Sequence, residues 1–118
     1  MKKPWSRTNL IAVAAKTSSK EDFLKLYPLS EGDMHFYDLL KNAKVGKISI
    51  TQTMGNKTGF QFEGYTATFS EGLSLFIDTD SEYYYTSGIE KINWEKGYFD
   101  TMNSRYQFTF EPISEDEL

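Results

Sequence analysis

At residue 45 the apolar residues stop recurring every three to four positions and begin recurring every second one. In KISITQTM, Ile48, Ile50 and Met54 alternate with Ser49, Thr51 and Thr53, and Gly55-Asn56 ends the run. LSLFIDTD alternates Leu73, Leu75 and Ile77, and RYQFTF alternates Tyr106, Phe108 and Phe110. In TGFQFEGYTATFS, Phe60 and Phe62 share a face, whereas Tyr65, Ala67 and Phe69 have the opposite parity. A slip of one residue at a glycine is the mark of a β-bulge, here expected at Gly64. YYYTSGIEKINW and GYFDTM lie between these runs. Short alternating runs bounded by turn residues predict five to seven antiparallel strands, forming a strongly bent sheet or a small barrel.

The residues before the switch read as helical. Ser18 precedes Glu21, and Ser19 precedes Asp22, by three positions, so either serine can cap a helix over KEDFLKLY. Pro28 disfavours helical geometry at Tyr27 and stops it. Ser30-x-x-Asp33 repeats the device before EGDMHFYDLLKNAK, where Phe36, Leu39, Leu40 and Ala43 make one apolar stripe. LIAVAAK, residues 10–16, is open between strand and helix: Ile11 and Val13 favour one, the alanines the other. The expected fold is therefore α+β. Short N-terminal helices pack on the sheet or barrel within one domain, residues 1–118. Residues 1–44 are mainly helical, 45–112 are antiparallel β, and 113–118 form an acidic tail expected to fray.

Aromatic residues make up 16% of the chain, enough for a dense core in 118 residues. Cysteine is absent, which removes disulfides, thiolate nucleophiles and thiolate metal ligands. No stretch reaches the ~18 apolar residues of a membrane-spanning helix. The apolar run Leu10–Ala15 is shorter than a secretory core, so the N-terminus reads as mature protein and the expected compartment is the cytoplasm. The terminal SEDEL falls short of a retrieval signal, because Glu115 stands where a basic residue belongs. Asn56-Lys57-Thr58 is a glycosylation sequon only in a secreted protein, and Gly55-Asn56 already reads as a turn.

Reactive chemistry finds little material. His35 is the single histidine, set inside the second helix beside Asp33 and Asp38, with no Gly-x-Ser-x-Gly elsewhere. Phosphate-binding glycine loops are absent. Asp78, Asp80 and Glu82 imitate the start of a calcium loop. However, Tyr83 stands where the loop needs glycine, and Ile89 where it needs glutamate. The expectation is no catalytic residue, no metal and no cofactor, hence no enzyme.

Charge carries the functional reading. Residues 1–57 hold ten Lys/Arg against five acids, while residues 58–118 hold three against twelve. Thr58–Glu90 has no basic residue and six acids: Glu63, Glu71, Asp78, Asp80, Glu82 and Glu90. Such a stretch either keeps the protein soluble or steers it onto a basic partner. The net charge of −4 argues against direct nucleic-acid binding, whose affinity comes largely from phosphate attraction. Beside the acids stands Tyr83-Tyr84-Tyr85. In a strand, Tyr83 and Tyr85 share a face and Tyr84 takes the other, so the three cannot form one platform.

The run Thr86-Ser87-x-Ile89-x-x-Ile92, followed by Thr101-x-Asn103-Ser104-x-Tyr106, resembles the ends of small uncharacterised phage and mobile-element β domains. The resemblance implies an accessory protein of a mobile element. The expected function is a non-enzymatic protein-binding module whose acidic β surface docks on a basic partner. Given the resemblance, that partner would be a host nuclease or defence protein whose nucleic-acid-binding surface is occluded. The contact residues would be Asp78, Asp80, Glu82, Tyr83, Tyr84, Tyr85 and Glu90. The alternative is a β domain that binds nucleic acid or a small ligand through exposed aromatics, with the basic N-terminal segment as a clamp.

Overall fold

In the computed structural model, which describes residues 3–118, six strands follow one another in chain order around a closed antiparallel barrel. They are β1 (Lys44–Met54), β2 (Gln61–Phe69), β3 (Ser74–Asp78), β4 (Tyr83–Asn93), β5 (Tyr98–Thr101) and β6 (Arg105–Pro112). Three helices precede them: α1 (Arg7–Thr17), α2 (Lys20–Leu26) and α3 (Met34–Asn42). The fold is α+β, and residues 10–16 are helical.

Inward-facing residues of alternating parity fill the barrel: Ile48, Ile50, Phe69, Leu75, Ile77, Ile89, Phe99, Tyr106 and Phe108. One inner position is polar. Met54 was the expected continuation of the β1 face, yet it lies 58% exposed, and Gln52 is buried in its stead.

The helices form a smaller core around Ala15, Phe23 and Tyr37. Ser19 caps α2 as its spacing predicted, its Oγ accepting from the Asp22 N–H at 3.1 Å. At the head of α3, Ser30 Oγ instead donates to the Asp33 carboxylate at 2.8 Å. Of the apolar stripe expected over α3, Ala43 is buried and Leu40 packs on the core, but Tyr37 is buried in place of Phe36, which is 41% exposed. Hydropathy counts tyrosine as polar. Here its ring lies 5.2 Å from Phe23, with the Lys20 and Lys41 ammonium groups over it at 5.5 and 5.8 Å.

The bulge also moves. Pairing between β1 and β2 runs unbroken through Ile48 and Gly64, and the register shifts between Lys44–Phe69 and Gly46–Thr66. Gly64 has a different role. A Cβ there would overlap the carbonyl oxygen of Asp78 on β3. The displaced bulge falls at Ala67-Thr68, where β2 meets α1. β2 and β3 share a single register pair, Tyr65–Asp78, and side chains do the joining beyond it. Asn9 of α1, fully buried, accepts from the Ala67 N–H at 2.9 Å and donates to the Phe76 carbonyl at 2.9 Å. Thr68 Oγ1 accepts from the Phe76 N–H at 2.9 Å. The Asn9 carboxamide thus stands in for a peptide unit of the missing ladder, satisfying buried groups that would otherwise be orphaned.

Lys16 completes the junction. Its ammonium donates to the carbonyls of Ala67 at 2.8 Å, Leu40 at 2.6 Å and Ala12 at 3.4 Å. The tail is packed, not frayed: Ile113 and Leu118 lie against Ala12, Val45 and Ala67.

Candidate functional site

The six acids of Thr58–Glu90 do not share one surface. Glu63 pairs with Lys47 at 3.1 Å. Glu71 accepts from the Ile92 N–H at 2.8 Å. Asp78, an expected contact residue, is 1% exposed. Its Oδ2 accepts from the Ser6 N–H at 2.7 Å and from Asn9 Nδ2 at 2.8 Å, at the N-terminal end of α1. A carboxylate suits the positive end of a helix, so this acid is spent on the fold and has no outward face to offer. Glu90 is exposed but stands elsewhere on β4, beside Met54, Met102 and the Asp100–Arg105 pair.

Asp80 and Glu82 remain, both exposed at the β3–β4 turn. Thr79 fixes that turn. Its N–H donates to the Glu82 carbonyl at 2.8 Å, and its Oγ1 accepts from the Glu82 N–H at 3.0 Å. Asp80 and Ser81 are thereby held at the tip.

Next to the tip, the tyrosines divide by parity. Tyr83 and Tyr85 are 57% and 59% exposed on the outer face of β4. Phe76 of β3, which the sequence reading passed over, lies stacked with them. Its ring centroid is 5.1 Å from Tyr85 and 6.4 Å from Tyr83, with interplanar angles of 15° and 24°. The result is a ladder of three rings, legible in principle because Phe76 sits between the inward pair Leu75 and Ile77. Tyr84 points the other way. It packs on Phe60 at 4.6 Å and Phe62 at 5.7 Å, and its hydroxyl lies 3.3 Å from that of Tyr106. Burial and that hydrogen bond raise the Tyr84 phenol above its usual range, so it stays neutral.

A second concavity opens where the barrel wall is incomplete. β4 pairs with β5 only from Ile89–Thr101 onward, so residues 83–88 have β3 on one side and no strand on the other. A cleft of about 910 Å³ fills the gap between β4, the β5–β6 turn and the β1–β2 turn. Its floor is a neutral network: Gln52 Nε2 donates to the Tyr106 hydroxyl at 3.1 Å, and the Lys57 N–H donates to Gln52 Oε1. The sequence reading did not identify this cleft, although its Thr86-Ser87 and Thr101-to-Tyr106 runs converge on it.

His35 is exposed on α3, its Nδ1 3.2 Å from the Gly32 carbonyl oxygen. Among the described residues, no group of three or more His, Asp or Glu side chains could hold a metal ion. Among them also, no helix is long and apolar enough to cross a membrane. Comparison with protein-family models, curated proteins and solved structures finds no match to the chain.

Proposed function

We propose that this protein is a non-enzymatic binding module whose outer β3–β4 face docks on a basic surface of another protein. One observation supports this above the others: three stacked rings, two of them tyrosines more than half exposed, stand beside the two exposed carboxylates of a fixed turn. Tyrosine supplies large contact area at low entropic cost, and ring faces attract arginine and lysine. Carboxylates at the rim steer such a partner and set the salt dependence of its approach. The same rings could stack on bases, but Asp80 and Glu82 would repel the attached phosphates. The likeness of the C-terminal strands to mobile-element β domains extends the proposal to a partner class, a host nuclease or defence protein whose nucleic-acid groove would be occluded.

Affinity capture from the cells that make the protein tests this, using wild type, Tyr83→Ala/Tyr85→Ala and Asp80→Lys/Glu82→Lys. The expected result is one basic protein retained by wild type at low salt and lost with either double variant. Retention of that protein by both variants, or recovery of nucleic acid in its place, would overturn the proposal.

A further inference from the structure

The cleft at the incomplete barrel wall has a lining unlike the rest of the molecule. Thirteen residues border it, and among them stand no carboxylate, no aliphatic side chain and no phenylalanine. Apart from Gly55 and Lys57, every one carries a hydroxyl or a carboxamide. This occurs in a chain with seventeen acidic residues, most of them on its surface. The single cation is turned to other work, for the Lys57 ammonium lies 5.9 Å from the centre of the Phe60 ring.

The polar groups are held in place. Gln52, Thr86 and Tyr106 are each at least nine-tenths buried. Gln52 and Tyr106 are joined by the hydrogen bond at the floor, and the Tyr106 ring stacks on Phe99 at 5.0 Å. The β5–β6 turn that presents Asn103 is braced by Arg105. The Arg105 guanidinium donates twice to Asp100, at 2.7 and 3.1 Å, and lies 4.0 Å from the centre of the Tyr98 ring. Gln52, Thr86 and Tyr106 are paired within the protein, Thr86 Oγ1 donating to the Ser87 carbonyl at 2.7 Å, and form a fixed floor. The exposed carboxamides of Asn56 and Asn103 and the exposed hydroxyl of Ser87 around it can donate and accept, as a ligand with donors and acceptors in close array needs.

From this lining we infer that the cleft is a binding site for a neutral, polyhydroxylated ligand, a mono- or oligosaccharide. The volume lies in the range of small-molecule sites, ~300–1,000 Å³. Cationic ligands lack a carboxylate partner there. Phosphorylated ligands would meet a net-negative protein and a lysine already engaged with a ring. A peptide strand laid along residues 83–88 would find no apolar recess for its side chains. A sugar finds carboxamides and hydroxyls for its hydroxyl groups, with Tyr84 and Tyr85 at the border of the cleft.

Amide chemical-shift mapping of the intact protein tests the inference, with glucose, mannose, galactose and N-acetylglucosamine and their short oligomers as probes. Adenosine monophosphate and an uncharged tetrapeptide serve as competitors of other classes. At least one saccharide is expected to shift the carboxamides of Gln52, Asn56 and Asn103 and the amides of residues 84–87 and 101–104, and to saturate. Tyr106→Phe removes one hydroxyl and keeps the ring, while Asn103→Ala alters an exposed turn. Each should weaken binding about tenfold. If either variant fails to fold, mapping on the wild type decides alone. The assignment fails if no saccharide gives saturable shifts up to about 10 mM. It fails equally if the shifts lie outside the cleft, if only the nucleotide or the peptide binds, or if both folded variants bind as wild type does.

Discussion

Two side chains of α1 decide how this chain closes, and neither looks exceptional in the sequence. Asn9 and Lys16 take the N–H and the C=O of the same residue, Ala67, so that β2 can bulge without leaving its backbone groups unpaired. Lys16 bears a cost for this. Burial lowers its ammonium from the ordinary 10.5 to about 8, opposed by nearby Glu115. The folded state therefore releases this proton at lower pH than the unfolded chain does. Between pH 8 and 10.5 the unfolded chain holds more protons, and the contribution of Lys16 to stability rises with pH across that window. The difference in unfolding free energy between wild type and Lys16→Met should therefore shift in favour of wild type by about 2 kcal/mol from pH 8 to pH 10. Urea unfolding at a series of pH values measures it, and a difference that stays flat would place the Lys16 proton elsewhere. Subtracting the variant cancels the titration of every group that the two proteins share. The pattern of hydropathy cannot register such residues, because a buried amide and a buried ammonium look like surface residues until their partners are known.

Among the elements, period-two alternation located the barrel well, because each strand buries one face and water covers the other. The strand count and the cap of α2 were legible for the same reason: both are local. What the sequence hid depends on what packs from outside. Tyr65 and Ala67 lie on the outer face of β2, and Phe69 returns to the core only after the bulge, whose position is set by the approach of α1 and not by a glycine. Gly64 was visible but misread. It answers a close backbone approach by β3, at a point where Asp78 is tied to α1 and cannot retreat. Gly64→Ala should therefore destabilise the protein by about 3 kcal/mol, as overpacking against a fixed backbone does. Gly88 of β4 has open space where a Cβ would stand, so Gly88→Ala should fall within about 0.5 kcal/mol of wild type. Denaturant midpoints for the two variants compare them directly, and equal costs would show that β3 can move away. The candidate site divides along the same line. The sorting of Tyr83 and Tyr85 from Tyr84 follows from parity and was legible, as in principle was Phe76 across the same hairpin, whereas the cleft arises from segments distant in sequence.

For the whole molecule, the charge asymmetry between the two parts of the chain is in good measure an internal affair. Lys47 of the basic segment binds Glu63, the N-terminus of α1 sits on Asp78, Lys16 lies near Glu115, and Lys3 lies 4.5 Å from the centre of the Tyr65 ring. A contrast that suggested an outside partner thus also marks two segments that complement each other, and Asp80 and Glu82 stand exposed at the β3–β4 tip. The barrel and the helical segment should therefore fold as one unit despite the sharp change of pattern at residue 45. Without residues 1–43, the Ala67 N–H and C=O, the Phe76 carbonyl and the Asp78 carboxylate would all lose their partners. Val45, Ala67, Ile113 and Leu118 would also lose their cover. Water would reach the polar groups, but the β2–β3 seam would keep little beyond its single register pair. Each uncovered apolar side chain would lose about 1.5–3 kcal/mol of burial, together more than a small domain can spare. Residues 44–118 alone should show neither a cooperative unfolding transition nor dispersed amide resonances, and adding residues 1–43 as a separate peptide should restore both. A fragment 44–118 that unfolds cooperatively near the midpoint of the full chain would show instead that β2 and β3 can pair without Asn9, and that the helices are an addition to a barrel complete in itself.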